Sequence, residues 1–337
     1  MSIKLKKIEY IIVFLLFLPY VDFFNLNLGS DLQPYPFFIA LFILITYRHL
    51  IIPREMFLLV LITLEASLIY TYNFLFYDYT LYEIRSLYSY IALLVFSLTS
   101  FLLLKNKHIV FRQVVKSIIL FYFIIGLIQF GIDRDFLTFL TSNYRNTLDR
   151  GISNLMVEPT FYAIFCVLMM YISRELELNK KYIYILLFQI VILSQSSMII
   201  LFLLLYGIIF INKNKFIYIY ALSVLIVILV AFFLENRFIS ILIELLSNPI
   251  NLLTTAQSIN ERFTHMYLSL YGWMENYFIL PHGFSVWGTY LGEKTSLNPD
   301  LFLITEYNNS AGRVMSGYGS ILFELGIGGI ALIVYVW

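Results

Sequence analysis

The residues best suited to chemistry include a polar segment near the end of the chain, residues 258–283. As a helix, this segment would align five side chains on one stripe: Arg262, His265, Ser269, Trp273 and Asn276. Such a stripe could present a cation to an anionic ligand, because the planar arginine fork binds phosphate through two hydrogen bonds and stays charged at any pH. The alternative is an amphipathic helix that lies in the membrane interface with a solvated polar face.

A second polar segment, residues 143–160, combines two arginines with an acid. Arg145 and Arg150 precede Glu158, and Glu158 stands next to Pro159, a residue that tends to fix a helix start or a kink. An acid that enters a membrane span is costly unless it faces a cavity or a partner, so Glu158 suits a general base or a group that binds sugar hydroxyls. The alternative is an ion pair with an arginine that fixes the loop.

Two further acids lie within apolar stretches of the sequence. Glu65 is a functional candidate because acids within membrane spans are costly, and a structural hydrogen bond to a neighbouring helix is the equal alternative. Glu324 lies among glycines that allow helices to approach closely, so a packing role is favoured there.

Metal binding has little support in this sequence. The tripeptide Asp133-Arg134-Asp135 could hold a divalent cation for a glycosyl donor, but so short a pattern is common in unrelated proteins. His265 and His282 are too few for a metal site without acids beside them. We therefore predict that the chain uses no metal and no cofactor.

The composition places these residues in a membrane protein. Of the 337 residues, 61% are hydrophobic and 13% are charged, whereas a soluble domain carries about 25% charged residues. A bilayer must therefore cover much of the surface. The net charge of +1 gives no indication of nucleic acid as a partner, and a single cysteine, Cys166, excludes an intramolecular disulfide.

The hydrophobic runs predict an all-α, polytopic protein that forms a single transmembrane domain over residues 1–337. A span needs about 20 mainly apolar residues to cross the hydrocarbon core. On this criterion we predict about ten spans: 8–24, 34–52, 56–77, 86–104, 114–132, 154–172, 182–194, 197–212, 216–234 and 318–337. The stretch 182–212 could instead form one long helix.

The distribution of basic residues predicts a cytoplasmic N-terminus. With this orientation and two crossings in 182–212, 14 of the 22 Lys and Arg residues lie on the cytoplasmic side. Two large loops, about 133–153 and 235–317, then lie outside, so we expect the chemistry to take place on the outer face. The last span ends at Trp337 without a cytoplasmic tail, which leaves open a truncation at this end.

Four short motifs follow one another in the second part of the chain. They are Glu158-Pro159-Thr160-Phe161 at the start of a span, Ser194-Gln195-Ser196-Ser197 between two short apolar runs, Arg262 followed by Pro281 and Gly283 in the large outer loop, and Glu324-Leu325-Gly326-Ile327-Gly328-Gly329 in the last span. In order and sidedness, these motifs over residues 110–337 resemble those of the bacterial O-antigen and capsule polymerase and ligase superfamily, whose polymerases are called Wzy. The basic residue that often follows the first serine is absent here.

The resemblance implies an inverting glycosyltransferase of the GT-C type in the bacterial cytoplasmic (inner) membrane. It would transfer a growing glycan from undecaprenyl pyrophosphate to a lipid-linked repeat unit, and so build O-antigen, capsule or exopolysaccharide without a nucleotide-binding domain. The partners implied are the lipid-linked glycan, membrane lipid, a chain-length regulator and a flippase.

The two polar segments supply the candidate site residues for this reaction. We expect catalytic roles for Glu158, Arg262 and His265, with Glu158 as the proton acceptor and Arg262 at the pyrophosphate. We expect five residues to bind pyrophosphate or sugar: Arg145, Arg150, Arg313, His282 and Trp273.

Two alternatives to the polymerase stay open. Ligases of the superfamily typically carry a histidine shortly before the Glu-x-Gly-x-x-Gly element, and residues 308–319 contain none, which favours a polymerase. A flippase or transporter of lipid-linked oligosaccharide would instead bury polar residues midway through several spans and break several helices. The only broken stretch that the sequence indicates is 182–212.

Overall fold

The computed structural model describes residues 3–23, 32–46, 53–76, 81–106, 108–141, 144–145, 151–196, 247, 257–284, 286–297, 314 and 317–336. These residues form eleven α-helices and no strand beyond an isolated antiparallel bridge between Val21 and Thr141. Helices suit such apolar runs because each segment pairs its own peptide groups where no water can reach them. The all-α prediction is confirmed for this part of the chain.

Seven helices precede residue 197: α1 (Ile3–Leu15), α2 (Tyr35–Thr46), α3 (Phe57–Phe76), α4 (Leu81–Asn106), α5 (His108–Gly131), α6 (Pro159–Glu175) and α7 (Lys180–Phe188). Short 3-10 turns cover Arg54–Met56 and Thr138–Leu140, and α7 continues into a π-helical turn, Gln189–Ser194. Four more follow: α8 (Gln257–Glu275), α9 (Trp287–Leu297), α10 (Gly317–Leu325) and α11 (Ile327–Val336).

The chain divides into two compact units. The first consists of Met1–Thr46 and Thr99–Leu242, and the second consists of Tyr47–Leu98 and Ile243–Trp337.

The core of the first unit is centred on α5, which packs with α1, α6 and α7. One face of α5 is fully buried: Val114, Val115, Ile118, Ile119, Tyr122 and Ile125. The hydroxyl of Tyr122 donates a hydrogen bond to Phe17 O at 3.0 Å, so this polar group is satisfied inside the apolar core.

The second unit has two apolar clusters. In one, α3, α4 and α11 pack around Phe284 and Leu325. In the other, α8, α9 and α10 contribute mainly aromatic and aliphatic side chains: Leu268, Trp287, Tyr290, Leu291 and Phe323.

Three described helices are long and apolar enough to cross a membrane: Arg54–Phe76, Ile84–Lys105 and Ile109–Gly131. They match three of the predicted spans: 56–77, 86–104 and 114–132. Two shorter apolar helices are Tyr35–Thr46 and Ile327–Val336. The predicted spans 197–212 and 216–234 lie outside the described residues, so the choice between one and two crossings in 182–212 stays a prediction.

Three predicted spans differ from the helices observed. The span 8–24 is not one helix, because α1 ends at Leu15 and turns lead to Pro19. The span 154–172 begins later than predicted, since Pro159 occupies the first helical position, where its missing N–H costs nothing.

The third difference is a break at Gly326, which divides the predicted span 318–337 into α10 and α11. Gly326 has φ +57°, a left-handed conformation that ends α10, and its N–H donates to Leu322 O at 2.9 Å. The N–H of Ile327 donates to Ile279 O at 3.0 Å, so the segment after α8 caps the start of α11. The prediction that only 182–212 is broken was therefore wrong.

Candidate functional site

Glu158 stands where a buried loop enters α6. Its backbone is extended, with φ −141° and ψ 155°, and its side chain is 22% exposed. The guanidinium Nε of Arg145 lies 3.5 Å from Glu158 Oε1, and the N–H of Arg145 donates to Val157 O at 2.9 Å. An ion pair of this length between partly exposed groups is weak, so the Glu158 carboxylate remains able to exchange Arg145 for a ligand.

The loop before Glu158 is unusual because residues 151–157 are all buried. Loops normally lie on the surface, since buried peptide groups need partners. Here Asn154, with φ 58°, supplies several: its Nδ2 donates to Tyr122 O at 2.6 Å and its Oδ1 accepts from the N–H of Leu155 at 3.0 Å. Gln129 Nε2 donates to Asn154 O at 3.2 Å. One backbone carbonyl and one side chain of α5, those of Tyr122 and Gln129, therefore hold the loop in place.

The serine-containing segment that follows α7, residues 194–196, contacts this loop. The π-helical turn Gln189–Ser194 ends at Gln195, which has φ 45°. The carbonyl of Leu193 accepts the N–H of Ile152 at 2.8 Å, and Ser196 Oγ donates to Thr160 Oγ1 at 3.3 Å. Two motifs that are separated in sequence, one at residues 158–161 and the described part of the other at 194–196, are thus brought together by the fold.

In the turn before the loop, Asp133 and Arg134 make local structural contacts. Asp133 Oδ1 accepts the N–H of Asp135 at 3.0 Å, and Arg134 Nη2 donates to Gly151 O at 3.3 Å. Asp133 therefore closes its own turn, and Arg134 ties this turn to the loop. In the part of the chain that the structure describes, no group of three His, Cys, Asp or Glu side chains could hold a metal ion.

The helix predicted over the second polar segment is present as α8, and two residues of its polar stripe, His265 and Ser269, face inward. His265 is 2% exposed and Ser269 is fully buried, whereas Met266 and Met274 on the apolar side are exposed. The alternative of a helix with a solvated polar face is therefore wrong at His265 and Ser269, whereas Trp273 and Asn276 are partly exposed. Arg262 lies in the second turn of α8, and its side chain lies outside the described residues, as do Arg150 and Arg313.

The three remaining predicted residues lie in or beside an aromatic cluster of the second unit. The ring of His265 is 5.2 Å from that of Trp287. His282 stacks on Phe323 at 4.3 Å, and its Nε2 donates to Gly272 O at 2.8 Å. Trp273 Nε1 donates to the carbonyl of Phe278 at 3.1 Å.

No family model, curated protein or solved structure matches this chain.

Sequence reasoning missed an ion pair that joins α8 to α9. Glu275 accepts from Lys294 Nζ at 2.6 Å and from the hydroxyl of Tyr290 at 2.7 Å. Although burial opposes it, these two hydrogen bonds hold the pKa of Glu275 below its ordinary value, and the bond to Glu275 raises the pKa of Lys294. The partners are 15 and 19 positions apart across a turn, so no local pattern could have indicated the contact.

The two acids in apolar stretches both make structural contacts in the second unit. The carboxylate of Glu65 accepts a hydrogen bond from the backbone of Gly328, in the first turn of α11, and a Cβ on Gly328 would overlap it. Glu324 is buried and its Oε2 accepts from the hydroxyl of Tyr90 at 2.8 Å. The hydrogen-bond alternative for Glu65 is thus observed, and Glu324 combines packing with a buried hydrogen bond.

Burial lowers the pKa of His265 to about 4, so we expect this residue to make stability depend on pH. The unfolded chain, with an ordinary histidine pKa of about 6.5, binds the proton more readily. The contribution of neutral His265 to the free energy of unfolding is therefore fully present above about pH 6.5 and is lost as pH falls towards 4. Between pH 7 and pH 5 the free energy of unfolding should fall by about 2 kcal/mol. Thermal unfolding of the purified chain and of His265→Gln at both pH values measures this fall. Equal pH dependence in the two proteins would contradict the assignment.

Proposed function

We propose that the protein polymerises oligosaccharide repeat units linked to undecaprenyl pyrophosphate, at the outer face of the bacterial cytoplasmic membrane. The observation that carries the proposal is the pair Arg145–Glu158 at the end of a buried loop, beside the hydrogen bond between Ser196 and Thr160. A carboxylate and a guanidinium on a fixed backbone, next to hydroxyl groups, suit the deprotonation of a sugar hydroxyl beside an anionic leaving group. The ten-span layout and the cytoplasmic N-terminus are part of this proposal.

The proposed reaction is a single inverting displacement. An acceptor hydroxyl oxygen attacks the anomeric carbon of the donor glycan, and Glu158 takes the hydroxyl proton. The bond between the anomeric carbon and the pyrophosphate oxygen breaks, and the lipid pyrophosphate leaves with that electron pair. Arg262 would stabilise the charge that develops on the pyrophosphate, with Arg145, Arg150 and Arg313 as further cations near the substrate.

The other predicted residues have supporting roles in this proposal. Trp273 and His282 would contact sugar or pyrophosphate. His265 would act in catalysis through proton transfer, although its burial against Trp287 requires the substrate to reach the aromatic cluster. A chain-length regulator and a flippase are the partners that such a reaction needs.

Complementation tests the proposal. We expect the wild-type gene to restore a ladder of polysaccharide lengths in a strain that lacks its own copy, and Arg262→Ala to reduce the ladder to a single repeat unit. Immunodetection of the membrane protein controls for expression. A full ladder from Arg262→Ala would exclude the role of Arg262, and a full ladder in the deletion strain would exclude the polymerase.

A second candidate function is transport of the same lipid-linked units, and the break at Gly326 favours it. Transporters often build their sites from discontinuous helices, and α10 and α11 are separated at Gly326. There, Glu65 lies against the first turn of α11. Accumulation of lipid-linked units on the cytoplasmic side of a deletion strain would support transport, and accumulation on the outer side would support polymerisation.

A further inference from the structure

The apolar segment 277–280, which follows α8, displays its side chains instead of burying them. All four are exposed, with Tyr277 at 81% and Leu280 at 62%. On α8, an exposed apolar row leads to this segment at intervals of one helical turn: Met266, Leu270 and Met274. We call the row and the segment together the outer apolar surface. A contiguous apolar surface of this kind marks a contact with another molecule or with a membrane.

The backbone of segment 277–280 pairs all of its N–H groups within the protein. The first two N–H groups donate to Met274 O at 3.0 Å and to Trp273 O at 3.1 Å. The last two both donate to Asn276 O at 3.3 Å. The residue that follows, Pro281, has no N–H to pair. The segment therefore presents no free backbone donor to its surroundings, although its side chains are exposed.

Two carbonyls of the segment are paired as well. Trp273 Nε1 donates to Phe278 O at 3.1 Å, and the N–H of Ile327 donates to Ile279 O at 3.0 Å. A loop in water has little need of such pairing, because water supplies the hydrogen bonds. Backbone in contact with lipid must find its partners within the protein, since an unpaired polar group is costly there. The hydrogen bonding of the segment is therefore that of backbone in an apolar environment.

The segment also keeps two residues in a strained backbone conformation. Tyr277 has φ 55° and Phe278 has φ 63°, in the left-handed region that bulky residues rarely adopt. Such strain persists only where the surroundings support it. In water, the hydrophobic effect would oppose this conformation further, because it favours the burial of apolar side chains. A lipid environment removes this second cost.

The outer apolar surface adjoins the helices of the same unit that suit a membrane. Ile327, whose N–H bonds to the segment, begins α11 and is itself exposed. α11 packs against α3, which is long and apolar enough to cross a membrane. Glu275, which follows Met274 in the chain, is paired with Lys294 at 2.6 Å. Paired charges of this kind can lie at the level of the lipid headgroups.

We propose that the outer apolar surface inserts into the bilayer and contacts the acyl chains of its lipids just below the headgroups. Ile279 and Leu280 would lie among the acyl chains. Tyr277 would lie at headgroup depth, where an aromatic ring with a polar tip is favoured. Insertion of this type reaches a depth of about 5–10 Å. Part of the predicted outer loop 235–317 would then lie in the membrane. The inference goes beyond the proposed function and does not depend on it.

The test uses the full chain in nanodiscs of phosphatidylcholine and phosphatidylglycerol that hold one chain each. In a Cys166→Ser background, Leu280→Cys carries a fluorescent bimane label. One quencher is a lipid with a nitroxide near the headgroup end of its acyl chain, and the other is aqueous iodide. The matched control is Glu293→Cys, at an exposed charged position of α9. We expect the nitroxide lipid to quench the Leu280→Cys label several-fold more strongly than the control label, and iodide to show the reverse order.

The unsubstituted chain provides a second measurement, which does not depend on the folding of the cysteine variants. Phosphatidylcholine with a benzophenone in its acyl chain should crosslink to segment 277–280 and to Met274 on illumination, and should spare Glu293. Tandem mass spectrometry locates the crosslinks.

Three outcomes would overturn the inference. The first is iodide quenching of the Leu280→Cys label equal to that of the control, and the second is a lack of lipid crosslinks in segment 277–280. The third is protection from iodide only in nanodiscs that hold two chains, which would assign the surface to contact with a second copy of the chain. No measurement here requires turnover, so the inference and the polymerase can fail separately.

Discussion

Gly151→Ala is expected to destabilise the first unit by more than about 3 kcal/mol and to abolish function. A Cβ at this position would overlap the carbonyl of Ser194 and lie 2.5 Å from Leu193 O. Both neighbours are backbone atoms of the π-helical turn, so neither can turn aside as a side chain would. The loop would have to leave the turn, and the hydrogen bond from Ile152 to Leu193 would be lost with it. Thermal unfolding of the purified chain measures the effect.

Gly131→Ala is the matched control for this prediction. Gly131 is the last residue of α5 in the same unit, and a Cβ there would meet no atom within 4 Å. Alanine favours a helix over glycine by up to about 1 kcal/mol, so the control should be neutral or slightly stabilised. Equal unfolding midpoints for Gly151→Ala and Gly131→Ala would show that the loop does not pack on the turn.

If the proposed polymerisation uses Glu158 as its proton acceptor, Glu158→Gln is expected to reduce the rate about 100-fold or more, which is the contribution of a positioned general base. Glutamine has the size of glutamate and can still accept a hydrogen bond from Arg145, but it cannot take the proton of a sugar hydroxyl. The unfolding midpoint should therefore change little, because the ion pair it replaces is partly exposed and weak. The readout is the rate at which lipid-linked repeat units are joined in purified membranes.

Glu175→Gln provides the control for this variant. Glu175 is the last residue of the same helix and is exposed, so its replacement should leave the rate unchanged. A normal rate in Glu158→Gln would remove the general base from the mechanism. A lost rate with a lowered unfolding midpoint would assign Glu158 to the structure of the loop instead.

The sequence predicted the helical class well because hydrophobic runs of about 20 residues constrain the backbone so strongly. Three of the predicted runs, 56–77, 86–104 and 114–132, became α3, α4 and α5, and each helix end lies within six residues of the predicted one. The break at Gly326 was missed for a physical reason. Its cap is Ile279 O, which belongs to a distant segment, and glycines in a span equally suit close helix packing.

The orientation of α8 shows that the periodicity of a sequence does not predict which face of a helix is buried. The stripe with His265 and Ser269 was identified, but a pattern shows only that two faces differ and not which one is buried. In water the apolar face would turn inward. Here His265 packs against an aromatic cluster, Ser269 is buried, and Met266 and Met274 are exposed, so the surroundings of the helix determine which face is buried.

The candidate site was partly predictable. The proximity of Arg145 to Glu158 followed from their position in one loop, and an ion pair was one of two stated alternatives. The contact between Thr160 and Ser196 did not follow, because 36 residues separate them and only the packing of α6 on α7 brings them together. The structural role of Asn154 has no signal in the sequence, because asparagine is common in loops. Its left-handed backbone and its hydrogen bond to Tyr122 O are visible only in three dimensions.

The hydrogen bond from Ile152 to Leu193 couples the loop to the end of α7 in a cooperative way. The last carbonyls of a helix have no partner within that helix, and here the loop supplies one for Leu193. If the loop opened, this carbonyl would lose its partner, so a ligand that displaces the loop must also offset the loss of this hydrogen bond.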